Sequence, residues 1–215
     1  MAERWATFDC YGTLIDWNGG IGAELGRLFA EERVPELLAR YHELEPEIEA
    51  AEPTLPYREV MACVLERLGA APEERDALGR GLPGWPVFPE VPAALREARA
   101  RGWRLCILSN TDRDFIEASA AAIGVPFDRS IVASEIGSYK PSLGHWRAFE
   151  RVVGRLPDVH VAASLFHDIA PAAELGLPSV WIDRLGETVT TAEPRRRLPD
   201  LSGLADVLDE LVPPR

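Results

Sequence analysis

The sequence predicts an α/β fold, a parallel sheet flanked by helices with a helical subdomain inserted after the first strand. Three observations carry this. Short apolar runs rich in β-formers alternate with helix-period runs along most of the chain, which is the pattern of parallel βαβ units. Residues 17 to about 84 break that alternation with helical patterns and no clear strand. The composition is that of an ordinary globular chain: 215 residues, 47% apolar and 27% charged, enough for one or two domains with a sizeable core.

The elements follow in order. Trp5-Ala6-Thr7-Phe8-Asp9 reads as a buried strand running into the turn Tyr11-Gly12-Thr13. The insertion over 17–84 reads as helices at Ile21–Glu31, Glu36–Glu49, Tyr57–Leu68 and Glu73–Leu82. It ends in the breaker-rich Leu82-Pro83-Gly84-Trp85-Pro86, and acidic residues crowd within it. Residues 1–16 and 85–215 make up the sheet-bearing core. A helix from Pro92 to Ala100 stops at Gly102, a fitting residue for a helix end. The second strand, Arg104–Leu108, ends at Ser109-Asn110. A helix from Asp114 to Ala122 stops before Gly124, and Ser130–Ala133 is a weaker third strand. Ser142 reads as the N-cap of a helix through Val153. The fourth strand is His160–Ser164, then a helix over Pro171–Leu175, a fifth strand at Ser179–Ile182 and a last amphipathic helix over Leu204–Leu211. No internal repeat interrupts this order.

Charge and composition exclude several function classes. The net charge is −12, so the chain has no electrostatic claim on nucleic acid or an anionic membrane. A small anionic substrate then needs local positive charge set against the global field. No run reaches the roughly 18 apolar residues needed to span a bilayer. Met1-Ala2-Glu3-Arg4-Trp5 shows no signal peptide, and Cys10, Cys63 and Cys106 are odd in number and far apart. A cytoplasmic monomer or homodimer is the expectation. One further bias is informative: 22 of the 23 basic residues are arginine, and the single lysine is Lys140. A compact ammonium on a thin stem serves places that a planar guanidinium cannot. The other reading is chance survival of one surface lysine.

In a parallel sheet, ligands bind beyond the carboxyl ends of the strands. The first strand delivers Asp9, then Tyr11, Gly12 and Thr13, and the second delivers Ser109 and Asn110. Lys140-Pro141 follows the third, and Ser164 and Asp168 follow the fourth. Two carboxylates, one ammonium and several short polar groups thus converge on one rim. A strand-end carboxylate can attack an electrophilic centre and form a covalent ester, which assigns Asp9 as nucleophile. Lys140 is expected within about 4 Å of Asp9, lowering its pKa. Asp168 can orient or deprotonate the water that cleaves the ester. Ser109 and Asn110 offer donors to an anionic group. Thr13 and the turn at Gly12 bring backbone N–H groups towards the attacked centre.

These residues resemble a family. Asp9-Cys10-Tyr11-Gly12-Thr13-Leu14, Ser109-Asn110, Lys140-Pro141 and the late Asp168 match, in order and rough spacing, the four motifs of the haloacid dehalogenase-like superfamily. The resemblance covers nearly the whole chain and implies a Rossmann-like core, a helical cap between the first two motifs, and Asp9 as nucleophile. Phosphatases of the superfamily carry a second aspartate two residues after the nucleophile, to protonate the leaving alkoxide. Here that residue is Tyr11, a poor substitute with an unperturbed pKa near 10. The Asp-x-Tyr-Gly-Thr form is similar to the L-2-haloacid dehalogenases, in which the aspartate displaces a halide and neither metal nor other cofactor is used. That resemblance implies a cap arginine holding the departing halide, and Arg40 matches by position.

The fourth motif departs from the dehalogenase pattern. It reads Ala163-Ser164-Leu165-Phe166-His167-Asp168, with Leu165 where that family has asparagine. Ser164 and Asp168 are kept, and His167 is the residue placed to supply the missing polar function. Two alternatives stand beside dehalogenation: a Mg²⁺-dependent phosphatase of a small metabolite, with Asp9, Asp168 and the Tyr11 carbonyl on the metal, and a catalytically silent binding protein. Trp17 reads as cap hinge or core, and Tyr41 and Tyr57 as cap packing. His42, His145 and His160 show no metal-ligand spacing, and Cys10 reads as core.

Overall fold

The computed structural model describes residues 3–187 and 193–214. Its strands are β1 (Arg4–Phe8), β2 (Trp103–Ser109), β3 (Arg129–Val132), β4 (Val159–Ala162), β5 (Ser179–Ile182) and β6 (Arg196–Leu198). They form one all-parallel sheet in the order β3-β2-β1-β4-β5-β6. The chain builds outward from β1 in one direction, then returns to build outward in the other. The crevice beside the β1 carboxyl end is therefore the switch point of the sheet.

Both faces of the sheet are covered, which is why its central strands read as near-continuous apolar runs. The pleat sorts β2 residues by parity: Leu105 and Ile107 enter one core cluster, Cys106 and Leu108 the other. Trp5 joins the second cluster with Trp146 and Phe149, while Ala6 and Phe8 join the first. Each large side chain so buried contributes about 1.5–3 kcal/mol.

The helices are α1 (Trp17–Leu28), α2 (Val34–Ala51), α3 (Tyr57–Leu68), α4 (Ala77–Gly81), α5 (Val91–Ala100), α6 (Arg113–Ile123), α7 (Ala133–Ile136), α8 (Gly144–Val153), α9 (Ala170–Glu174) and α10 (Leu204–Leu211), with a π-helical turn at Leu165–Ile169. The first four occupy residues 17–84. In α5 the buried residues Val91, Ala94, Leu95 and Ala98 keep the one-face spacing of an amphipathic helix. Close approach fixes α1 against the segment leading back to the sheet: a Cβ on Gly20 would stand 2.3 Å from the Trp85 ring. Among the described residues no helix is long and apolar enough to cross a membrane.

Several expectations need correction. The helix expected to be capped by Ser142 begins at Gly144, with Leu143 at the N-cap. The Ser142 N–H instead closes a turn onto the Tyr139 carbonyl at 3.1 Å. The helix expected to run to Glu31 ends at Leu28, and a 3₁₀ turn covers Glu31–Arg33. The edge strand β6 and the short α7 are additional elements.

Candidate active site

Asp9 follows β1 at the switch point and is nearly closed off from solvent, at 7% exposure. A tight turn holds it there. The Leu14 and Ile15 N–H groups both donate to the Cys10 carbonyl, at 2.7 and 3.0 Å. Gly12 takes φ +87°, a conformation that side-chain-bearing residues rarely adopt. This turn swings Thr13 back so that its hydroxyl donates to Asp9 Oδ2 at 2.7 Å, while accepting from the Ala163 N–H at 2.9 Å. Two of the turn's N–H groups are taken: Gly12 donates to the Ile15 carbonyl and Thr13 to the Cys10 carbonyl. They are not free for substrate, contrary to the sequence expectation.

Lys140 lies on the same rim. Its Nζ donates to Asp9 Oδ1 at 2.9 Å, to Asp168 Oδ1 at 2.6 Å and to the Leu108 carbonyl at 3.0 Å. All three ammonium hydrogens are thereby used. The lone lysine is 2% exposed and stands between the two carboxylates, so it is no surface survivor. Burial alone would lower its pKa, but the Asp168 and Asp9 charges raise it, and the group stays protonated. For Asp168, burial is outweighed by Lys140 and His160, and its carboxyl is held well below the usual range. Asp9 departs from expectation. Burial raises its pKa more than Lys140 lowers it, with Asp168 adding to the rise.

Asn110 holds the lysine in place. Its Oδ1 accepts from the Lys140 N–H at 2.7 Å, and its Nδ2 donates to the Lys140 carbonyl at 3.0 Å and to Glu49 at 3.1 Å. Its amide hydrogens are therefore engaged, and Asn110 positions Lys140 instead of offering free donors. Ser109 differs: its Oγ is buried and has no hydrogen-bond partner. Ser164 caps the π-helical turn, accepting from the His167 N–H at 3.0 Å, and its hydroxyl lies 3.2 Å from His167 Nδ1. The other ring nitrogen of His167 has no partner, and burial brings the imidazole pKa down to about 4. Tyr11 turns its hydroxyl away to Ser119 at 3.0 Å, and burial pushes the phenol far above its ordinary range.

Arg40 is not in the site. It is exposed and pairs with Glu43 at 2.5 Å. The inward stripe of α2 is Leu37, Tyr41, Leu44, Glu45, Ile48 and Glu49. Arg40 precedes Tyr41 by one residue, about 100° of helical rotation away. The wall contributed by α1, α2 and α3 carries Glu45 and Glu49 instead, with Trp17, His42 and Tyr57. The cavity, of about 670 Å³, also takes in Asp9, Ser109, Lys140 and Asp168. Trp17 stacks on His42 with centroids 5.0 Å apart and donates to the Tyr57 hydroxyl at 3.2 Å.

Sequence reasoning also missed His160. Its Nε2 donates to Asp168 Oδ1 at 2.9 Å and its Nδ1 shares a hydrogen bond with Thr7 at 2.9 Å, so it fixes the far side of Asp168. The available signal was a lone imidazole inside the apolar run Val159-His160-Val161-Ala162. Arg184 and Asp183, at the carboxyl end of β5, also line the cavity.

Both Asp9 oxygens carry hydrogen bonds, from Lys140 and Thr13, while Asp168 Oδ2 carries none among the described residues. Asp9 Oδ1 and Asp168 Oδ1 already share one ammonium. Among the described residues no group of three or more His, Cys, Asp or Glu is placed to hold a metal ion.

Residues 4–163 match the family described as haloacid dehalogenase-like hydrolase. The chain is 26% identical over 223 residues to (S)-2-haloacid dehalogenase H-109 of Pseudomonas putida, covering 94% of this chain and 96% of that enzyme. It is 32% identical over 156 residues to a phosphoserine phosphatase of Thermus thermophilus, covering 68% of this chain and 63% of that enzyme, under two thirds of its length. Among solved structures, the L-2-haloacid dehalogenase of Xanthobacter autotrophicus with chloropropionic acid covalently bound superposes with a TM-score of 0.81 at 20% identity, covering 96% and 98% of the two chains. That likeness establishes the fold.

Proposed function

The chain belongs to the haloacid dehalogenase-like hydrolases, and from that premise we propose that it hydrolyses the carbon–halogen bond of a small 2-haloacid through a covalent ester on Asp9. The observation that carries this reading is Tyr11. It stands where a phosphatase needs a proton donor, and its hydroxyl is committed to Ser119 with a pKa raised by burial. A departing halide needs no proton.

In the first step an Asp9 oxygen attacks C2 of the substrate, the new C–O bond forms as the C–X bond breaks, and the halide leaves with the electron pair. The Asp9 ester is then neutral, and Lys140 is left paired with Asp168. In the second step water adds to the Asp9 carboxyl carbon. The ester opens to release a 2-hydroxy acid and restore the Asp9 carboxylate; one water proton passes by way of a base to the leaving alkoxide oxygen, and the other ends in solvent. Asp168 accepts from Lys140 and His160 through Oδ1 alone; among the described residues its Oδ2 takes no hydrogen bond and remains to orient the attacking water. His167, neutral at pH 7 with one ring nitrogen unpartnered, lines the same cavity and takes the water proton. Ser164 orients its ring, Thr13 fixes Asp9, and Ser109 donates to the substrate. No metal or cofactor enters either step.

Residues 17–84 act as a cap over a core of 1–16 and 85–215. Support comes from three ties across the boundary: Asn110 to Glu49, Tyr57 N–H to Asp112 at 3.0 Å, and Tyr139 hydroxyl to the Leu55 carbonyl at 2.6 Å. A lid of this kind excludes water from the ester. Three free cysteines, two of them buried, support a cytoplasmic setting.

The phosphatase relative keeps a second reading in play, against which Tyr11 counts. One panel separates the two: halide release from L-2-chloropropionate and chloroacetate, against phosphate release from p-nitrophenyl phosphate with and without Mg²⁺. Halide release independent of Mg²⁺ is the expected outcome. Mg²⁺-dependent phosphate release alone would overturn the dehalogenase reading.

A further inference from the structure

The cap-side wall of the cavity is acidic where an anionic substrate must lie. Glu45 and Glu49 are buried, and both line the cavity that holds Asp9. Glu45 Oε1 accepts from the Tyr57 hydroxyl at 2.6 Å and from the Tyr41 hydroxyl at 3.2 Å. Glu49 Oε2 accepts from Asn110 at 3.1 Å. Among the described residues the second oxygen of each carboxyl takes no hydrogen bond, and no cation pairs with either group. The nearby ammonium, Lys140, is already shared by Asp9 and Asp168. An independent feature points to a ligand between this wall and the sheet: Ser109, 1% exposed, lines the same cavity with an unpartnered hydroxyl.

We propose that Glu45 and Glu49 select the substrate by its carboxylate: as glutamic acids they donate hydrogen bonds to it, and as glutamates they exclude it. The proposal rests on the 2-haloacid reading only in taking the substrate to be a short carboxylate. A carboxylic acid facing a carboxylate forms a short, charge-assisted hydrogen bond, whereas two carboxylates at the same separation repel. Binding then takes up a proton from solvent: the substrate enters as an anion, and the wall is protonated or becomes so.

The surroundings favour the acid form. On α2 itself the neighbours are Tyr41 and His42, and α3 contributes Tyr57. From the core come Asp9, Tyr139 and Lys140. Burial, with the Asp9 charge adding to it, pushes Glu45 up to about 7. Burial and the Glu45 charge push Glu49 well above its ordinary value, against a smaller opposing pull from Lys140. Both groups therefore change charge well above the ordinary carboxylate range.

Calorimetric binding of L-lactate, a short 2-substituted acid with no leaving group, tests this without turnover. For one proton with a midpoint near 7, Kd rises roughly thirtyfold between pH 6 and pH 8.5 in the wild-type protein. In the Glu45→Gln/Glu49→Gln variant the rise disappears, and for the uncharged analogue lactamide it is absent in both proteins. If the double variant does not fold, binding enthalpies of the wild type in buffers of different ionisation heat report proton uptake directly, with close to one proton expected at pH 8. A flat Kd in the wild type, no lactate binding across this range, an unchanged pH dependence in the variant, or no proton uptake overturns the proposal. Halide release is a separate readout. A protein that binds lactate in this proton-linked way yet releases no halide would overturn the dehalogenase reading and leave the wall standing.

Discussion

Lys140 carries more of the site than any other single residue. Its three hydrogen bonds tie β1, the end of β2 and the π-helical turn after β4 to one atom. Removing one partner of such a buried set leaves charges uncompensated. Lys140→Ala is therefore expected to lower kcat at least a hundredfold, about 2.7 kcal/mol of barrier. Lys140→Arg is expected to rescue little, since a planar fork cannot point three donors inward from that stem. Recovery of wild-type kcat by the arginine variant would remove the geometric argument. Glu45 makes a pH prediction. Its folded pKa of about 7 lies above the ordinary 4.5. Its contribution to stability is therefore intact below pH 4.5 and is lost as pH rises through 7. Relative to Glu45→Gln, the wild type should lose up to about 3 kcal/mol of unfolding free energy between pH 4.5 and 7.5. Denaturant titrations of both proteins across that range check it, and parallel curves would show that Glu45 ionises freely.

At the scale of elements, what could be read from the residues and what could not divides along a physical line. The residues at strand ends were legible: a parallel sheet collects its carboxyl ends on one rim, so Asp9, Ser109 and Asp168 could be placed from the strand runs alone. Their hydrogen bonds were not, and Asn110 proved to clamp the Lys140 backbone. The inward face of α2 was not legible either. The resemblance pointed to Arg40 by its position in the chain, but position does not set helix rotation, which tertiary packing of Leu37, Tyr41, Leu44 and Ile48 decides. Arg196-Arg197-Leu198 escaped notice because a charged edge strand has no apolar run. Asp112 shows the same limit. It precedes α6 in sequence yet serves α3, its carboxylate accepting from the Tyr57 and Arg58 N–H groups at 3.0 and 3.1 Å and from Arg58 Nε at 2.9 Å. Asp112→Ala leaves two N-terminal donors of α3 unpaired, and chemical denaturation should show a loss of about 1–3 kcal/mol. A neutral result would mean that the start of α3 is held by its apolar face alone.

For the whole molecule, the net charge of −12 opposes an anionic substrate at every distance. Screening weakens that opposition outside the buried site, where the Debye length falls from about 30 Å at 0.01 M salt to about 8 Å at 0.15 M. KM for a 2-haloacid should fall over that range of ionic strength with kcat unchanged, and a rising KM would show that a local cation steers the substrate in. The proposed reaction turns on Asp9 itself forming and losing the bond to substrate. It is tested most directly by a single turnover of L-2-chloropropionate, with enzyme in excess, in water enriched in heavy oxygen. A covalent ester cleaved at the Asp9 carboxyl carbon puts the heavy atom into Asp9, detectable by mass spectrometry of the peptide that contains it. The lactate released then carries ordinary oxygen in its new hydroxyl. Heavy oxygen in the first lactate released, with Asp9 unlabelled, would mean that water attacks the substrate directly and that Asp9 is not the nucleophile.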